Sequence, residues 1–193
     1  MSEPLQILED ARAVLKGHFL LASGLHSDTY VQKFRIFQHP EVAEDLARRL
    51  ATQWTGVRID TVAAPAVGAI VFGHEMARAL HTRSVFLERK DGVFATRIGM
   101  ELVPGEKVLC AEDVVTTGGS VLEMARAVEA AGAEVVGFAA LLDRTGGKNP
   151  FDKRYRFEAL IRMSPAQFPA EDCPWCKAGL PLTKPGTKQG AKT

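Results

Sequence analysis

Between Arg58 and Arg144 the sequence alternates between unbroken apolar runs and segments with helical periodicity. IDTVAAPAVG leads into AIVFGHEMARAL, which is followed by SVFLE. VLCAEDVV then leads into SVLEMARAVEAAG, and EVVGFAALLDR closes the series. An apolar run without polar alternation reads as a strand buried on both faces, and a helix between successive strands is what parallel pairing requires. The pattern predicts an α/β architecture, a mostly parallel central sheet flanked by helices. The chain has 193 residues, enough for one such domain with a complete core.

The flanks are less regular. Leu5, Leu8, Arg12 and Leu15 predict an amphipathic helix from about Ser2 to Lys16, with Gly17 as its stop. HFLLASGLHSDTYVQKFRIF predicts a hairpin or two short strands about Ser23-Gly24. A second helix is expected after His39-Pro40, with Val42, Leu46 and Leu50 on one face. From Pro181 the sequence has little to bury and reads as a flexible tail, leaving residues 1–180 as a single domain. Lys plus Arg number 24 against 23 Asp plus Glu, so the chain lacks the basic footprint of a nucleic-acid binder. The apolar runs are too short to span a bilayer, and MSEPLQILED is unlike a signal peptide. A cytoplasmic protein without membrane partners is expected.

The stretch VLCAEDVVTTGGSV, residues 108–121, concentrates the chemistry. Thr116-Thr117-Gly118-Gly119-Ser120 lies between a strand and a helix, where glycines let backbone N–H groups approach an anion and the helix dipole favours negative charge. No Lys follows the glycines, so this is not a Walker A loop. Glu112 and Asp113 precede the loop. Two adjacent carboxylates call for a cation or a hydroxyl-rich partner between them, and the hydroxyls of a ribose would serve. A sugar 5-phosphate meets both demands.

This stretch resembles the signature by which type I phosphoribosyltransferases bind phosphoribosyl pyrophosphate (PRPP): four hydrophobic residues, two acids, then a Thr/Gly loop. The resemblance implies that Glu112 and Asp113 contact the ribose hydroxyls and that Val114, Val115 and Thr116 to Ser120 hold the 5-phosphate. It also implies Mg2+ carried on PRPP, with no certain protein ligand. Three further segments are similar to orotate phosphoribosyltransferases. Gly17 to Ser27, followed by Tyr30, resembles their N-terminal hood, here about residues 1–40, and implies that Ser23 and Gly24 lie against the base. Asp143-Arg144 resembles the site where an Arg reads the pyrimidine, with Thr116 nearby. Arg89-Lys90 resembles the start of a mobile loop that closes over PRPP, often from a partner subunit, which implies a homodimer and a catalytic role for Lys90 beside Glu112 and Asp113.

The sequence departs from that family at several points. Ala22 stands where many members have Lys, Tyr30-Val31 replaces an aromatic pair, and Ala66-Val67 replaces a Tyr-Lys pair. Beyond Lys90 the usual Lys and His are absent, with Arg97 as a possible substitute. CPWCKAGLPLTKPG near the C-terminus is similar to the tail of one subgroup of the family. The expected reaction is transfer of phosphoribose from PRPP to orotate. A purine phosphoribosyltransferase and a PRPP-binding regulator without turnover stay open as alternatives.

Three cysteines make no disulfide framework. Cys110 reads as a small strand hydrophobe. Cys173 and Cys176 form a lone C-x-x-C that can be half of a zinc site, a redox couple or local packing. Zinc is disfavoured because it wants four ligands and no second Cys pair or nearby His pair is visible in the sequence. A thioredoxin-like motif would open the first helix of a βαβ unit, and the role of the pair stays open. The spacing of His18, His26 and His39 suits neither metal binding nor acid–base work, and His26 reads as a loop hydrogen-bond donor.

Overall fold

The structure, a computed structural model, describes residues 3–21, 23–151, 153 and 155–185. In chain order its elements begin with α1 (Pro4–Asp10), β1 (Val14–Leu20), β2 (His26–Val31), α2 (Phe34–Phe37) and α3 (Pro40–Ala51). β3 (Thr61–Pro65), α4 (Ile70–Leu80), β4 (Arg83–Lys90), β5 (Val93–Thr96), β6 (Lys107–Val115) and α5 (Gly119–Ala130) follow. The chain continues through β7 (Glu134–Asp143), β8 (Arg156–Arg162), β9 (Gln167–Phe168) and α6 (Pro174–Lys177).

The unbroken apolar runs form one six-stranded sheet in the order β5-β4-β3-β6-β7-β8. All neighbours pair parallel except β4 and β5, which form an antiparallel hairpin. Both faces are covered. Leu109, Ala111, Ala139 and Leu141 face a core completed by α3 and α4, while Val108, Cys110, Phe138 and Ala140 face one completed by α5. That two-sided burial is why these strands carry no polar alternation. Gly73 of α4 sits so close to the sheet that a Cβ there would lie 2.4 Å from the Cβ of Ala64. Cys110 is fully buried, as expected, and burial pushes its thiol far above the ordinary range.

The strand order reverses between β3 and β6, since the chain leaves β3 outward to β4 and β5 and returns to β3's other side as β6. The crevice at the carboxyl ends of strands flanking such a reversal is where open α/β sheets bind ligands. The loops after β3 and β6 both open there.

A second sheet, β1-β2-β9, is antiparallel. Its hairpin is the one expected around Ser23-Gly24, although Ala22 lies outside the described residues. The N-terminal helix is shorter than its periodicity predicts. Arg12 takes a left-handed φ of 52°, and Val14 and Leu15 pair with Val31 and Tyr30. Strand pairing therefore overrides helical spacing, and Gly17 lies within β1 rather than at a helix stop. Phe34-Arg-Ile-Phe37, grouped with the β-rich halves, is instead a short helix that buries Ile36 and Phe37. The expected tail starts anchored: Thr183 N–H donates to the His18 carbonyl (2.8 Å) and its carbonyl accepts from Leu20 N–H (2.9 Å). Residues 186–193 lie outside the described region.

The histidine and cysteine expectations are corrected by the same hairpin. His26 is a buried strand residue, not a loop donor, and it lies across the hairpin from His18. Cys173 and Cys176 come up against both rings, so the His pair that spacing did not reveal is supplied by strand pairing. His39 stands apart at the start of α3, exposed beside Glu41.

Candidate active site

β6 carries its two acids to the crevice in a buried state, with Glu112 and Asp113 only 8% and 3% exposed. Their neighbour is Lys33, at the end of the hood segment, which forms an ion pair with the Asp113 carboxylate. Asp113 N–H also donates to Glu112 Oε1 at 3.1 Å. Burial, with the Asp113 charge beside it, pushes the Glu112 carboxyl up to about 8. At neutral pH one acid is thus ion-paired and the other protonated, and a ligand diol can both donate to and accept from the pair.

The loop after β3 closes over this pair. A Cβ at Gly68 would stand 2.4 Å from Lys33 Nζ and 2.7 Å from Asp113 Oδ2, so glycine lets the backbone lie against this ion pair without displacing it. The Ala66–Val67 peptide just before it is cis. Lys33 itself escaped the sequence reading: 80 positions separate it from Asp113, and no local pattern marks it.

Thr116 and Thr117 are exposed, and Gly118 initiates α5 with φ 78°. α5 has no side-chain cap from Gly118, and Gly119 N–H donates only at 3.5 Å to Thr117 Oγ1, so the helix start can still offer N–H groups to an anion. Gly118 is also confined in space, since a Cβ would lie 2.8 Å from Pro150 and 3.0 Å from Phe151. Ser120, in the first turn, is exposed on the same loop. The expected acids and anion loop are therefore brought together on consecutive turns of chain.

Arg144 follows directly. Its N–H donates to the Val115 carbonyl at 2.8 Å, tying the end of β7 to the start of the anion loop. Asp143 does not pair with it. That carboxylate accepts from Thr145 N–H at 2.8 Å and faces Arg162 at 3.7 Å. Arg144 Nε and Nη2 are buried without a hydrogen-bond partner. Burial pulls the guanidinium down from its ordinary value, partly offset by Tyr30 of the hood. A buried, unpaired fork of donors at a crevice is a ready carboxylate site.

The remaining expected residues lie farther out. Ser23 and Gly24 are exposed at the hood turn, where Ser23 Oγ accepts weakly from Leu25 N–H at 3.5 Å. Arg89 is engaged: it donates to Gly92 O at 2.9 Å, pairs with Glu123 of α5 and lies 4.3 Å over the Phe94 ring. Arg97 is paired with Glu88 at 3.0 Å. Lys90 is exposed and has no ion pair among the described residues.

Comparison with known proteins bears on this arrangement. Residues 35–169 match the family model described as a phosphoribosyl transferase domain. The orotate phosphoribosyltransferase of Caldanaerobacter subterraneus subsp. tengcongensis is 45% identical over 185 residues, which cover 96% of each chain. Among solved structures, the chain resembles orotate phosphoribosyltransferase from Aeropyrum pernix, with a TM-score of 0.69, 22% identity and coverage of 82% of this chain and 92% of that one. It also resembles adenine phosphoribosyltransferase from Rhodothermus marinus, with a TM-score of 0.65, 21% identity and coverage of 82% and 99%. At such identities these two likenesses carry the fold alone.

Proposed function

The chain belongs to the phosphoribosyltransferase family, among the orotate phosphoribosyltransferases, and on that premise we propose that it transfers the phosphoribosyl group of PRPP to orotate. The products are orotidine 5'-phosphate and pyrophosphate, and the reaction belongs to pyrimidine nucleotide synthesis. The observation that carries the choice of base is Arg144, whose buried donors lack a partner and suit the carboxylate of a planar ring. A purine has no carboxylate and could offer these donors only neutral ring-nitrogen or carbonyl acceptors, a weaker match than a charged, bidentate one.

The reacting ring nitrogen of orotate gives up its N–H proton, to solvent or to the departing pyrophosphate, and forms the new bond to the ribose anomeric carbon as the bond to pyrophosphate oxygen breaks. No side-chain nucleophile is needed. The protein aligns the partners, excludes water and stabilises a sugar that is positively charged as the bond breaks. Asp113 and Glu112 hold the ribose hydroxyls, with Lys33 fixing the orientation of Asp113. Val114 and Val115 carry the chain into the loop Thr116 to Ser120, whose N–H groups and hydroxyls take the 5-phosphate, and Thr116 lies next to the base. Lys90 and Arg89 meet the departing pyrophosphate, Arg89 after exchanging Glu123 for it. Ser23 and Gly24 cover the base from the hood.

Magnesium fits this site as part of the substrate. Among the described residues no three carboxylates converge, and Asp113 is ion-paired with Lys33, so the ion would be held chiefly by PRPP, with Glu112 and Asp113 the nearest carboxylates to assist. Bound there, the ion offsets charge gathering on the leaving group. We place the enzyme in the cytoplasm as a homodimer. Incubation with PRPP, Mg2+ and orotate should consume orotate absorbance and release pyrophosphate. No loss of orotate, together with turnover of adenine or another purine, would sink the assignment. Tight PRPP binding without pyrophosphate release under any base would favour a regulator instead.

A further inference from the structure

The hood contains a second constellation, built from residues that take no part in holding PRPP. His18 of β1, His26 of β2, Cys173 and Cys176 each aim one ligand-capable atom at a common point, and these four atoms all lie within 4.8 Å of one another. His18 and His26 are 5% and 4% exposed, and Cys173 is fully buried. Both cysteines are free thiols.

The hydrogen-bond geometry fixes what the centre lacks. His18 Nδ1 lies 3.0 Å from the Leu180 carbonyl, which can only accept, so Nδ1 carries the proton and Nε2 presents its lone pair. That one lone pair faces three partners at once: His26 Nδ1 at 2.9 Å, Cys173 Sγ at 3.4 Å and Cys176 Sγ at 3.7 Å. Cys176 Sγ is also 3.3 Å from His26 Nδ1. Four donors held around zinc by bonds of about 2.0 to 2.3 Å on a tetrahedron stand about 3.3 to 3.8 Å apart. Three of the separations in the hood, 3.3, 3.4 and 3.7 Å, match that spacing. The two imidazole nitrogens at 2.9 Å would move slightly apart on binding, and all four atoms lie within 4.8 Å. The Nδ1–H bond to a backbone carbonyl is the outer contact that fixes the tautomer of a metal-binding histidine.

We propose that His18 Nε2, His26 Nδ1, Cys173 Sγ and Cys176 Sγ form a closed, structural zinc site. Two thiolates and two imidazoles suit zinc, and four protein ligands leave no open position for chemistry. Its purpose is mechanical. Without metal, the C-terminal segment is attached to the hood by the two-residue strand β9, the two hydrogen bonds of Thr183, the His18–Leu180 contact and Trp175 packed against His18, with no long strand pairing to hold it. A metal joining Cys173 and Cys176 to both strands of the hairpin staples that segment down and braces the turn carrying Ser23 and Gly24.

The test requires no activity measurement, so it stands or falls separately from the orotate assignment. The full chain, purified under reducing conditions without chelator, should carry about one zinc per chain by inductively coupled plasma mass spectrometry. After zinc removal, added Co2+ should give thiolate-to-cobalt charge-transfer absorption and the visible bands of tetrahedral cobalt. Cys173→Ser and Cys176→Ser should each lose metal and weaken the thiolate band; if they do not fold, the wild-type cobalt spectrum still decides. The proposal is overturned by protein without zinc that shows no thiolate–cobalt band. It is equally overturned by a Cys173–Cys176 disulfide in the freshly purified protein, or by stoichiometric iron in place of zinc.

Discussion

Arg144 shows how much a single residue gains from its surroundings. In sequence it is a strand-end Arg beside an Asp, a pattern that usually ends in a solvated pair. In the fold Asp143 is taken by Thr145 N–H and Arg162, and Nε and Nη2 of the half-buried Arg144 are left without a hydrogen-bond partner. Removing a charge-assisted pair of this kind costs about 1.5–3 kcal/mol, so Arg144→Ala should raise the orotate KM about tenfold to a hundredfold while PRPP affinity is unchanged. Arg144→Lys should recover little, since one ammonium cannot replace a planar fork. Steady-state kinetics with each substrate varied would decide, and an unchanged orotate KM would remove Arg144 from the base site. Glu112 supplies a second residue-level prediction. Its carboxyl is held at about 8 in the fold against an ordinary 4.5, so the folded chain binds that proton more tightly than the unfolded chain. The associated stability is complete below the unfolded value and is lost as pH rises through the folded one. Glu112→Gln, neutral at every pH, should flatten the fall in denaturation midpoint between about pH 5 and pH 9, by an amount on the order of a few kcal/mol. Parallel pH slopes for the two proteins would contradict the raised value.

At the scale of elements, the loop from β6 into α5 depends on one backbone choice. Gly118 needs both its positive φ and the space against Pro150 and Phe151. Gly118→Ala combines left-handed strain of about 1–2 kcal/mol with a contact that forces the loop outward. We expect weaker PRPP binding by calorimetry, lowered melting temperature and an orotate KM little altered at saturating PRPP; full PRPP affinity would show that the loop tolerates displacement. This loop was legible because acids, hydroxyls and glycines sit within a few consecutive positions, as were the strands that two-sided burial makes continuously apolar. Other elements were not. β8 hides in RYRFEALIRM, where Phe157, Ala159 and Ile161 alternate, and among the described residues no helix lies between β7 and β8 to announce a parallel connection. α1 ended early because Val14 and Leu15 satisfy strand pairing better than helical spacing. Lys33 and the His18–His26 pair were invisible for one shared reason. Their partners are brought by tertiary contacts, Asp113 for Lys33 and the cysteines for the histidines, across distances no local pattern encodes.

For the whole molecule, the cations near the crevice are mostly spoken for within the chain. Lys33 is committed to Asp113, Arg97 to Glu88 and Arg89 to Glu123, which leaves Lys90 without an ion pair among the described residues. Lys90 ends β4 at the turn of an edge hairpin whose neighbouring strand exposes Val93 at 68%, and Ile98 just beyond it is 97% exposed. Exposed apolar side chains beside an unpaired lysine suit a hairpin that reaches toward a second subunit, where its charge meets pyrophosphate leaving the partner's site. Subunit complementation tests this directly. Lys90→Ala and Asp113→Asn should each be nearly inactive alone. If Lys90 serves the partner's site, a mixed dimer contains one site with both defects and one with neither, so randomly reassorted dimers should recover about a quarter of wild-type activity. If Lys90 serves its own site, every site in the mixture carries one defect and reassortment restores nothing. Light scattering on the same samples supplies the remaining condition, because a monomeric wild-type protein would exclude action across subunits whatever the mixing shows.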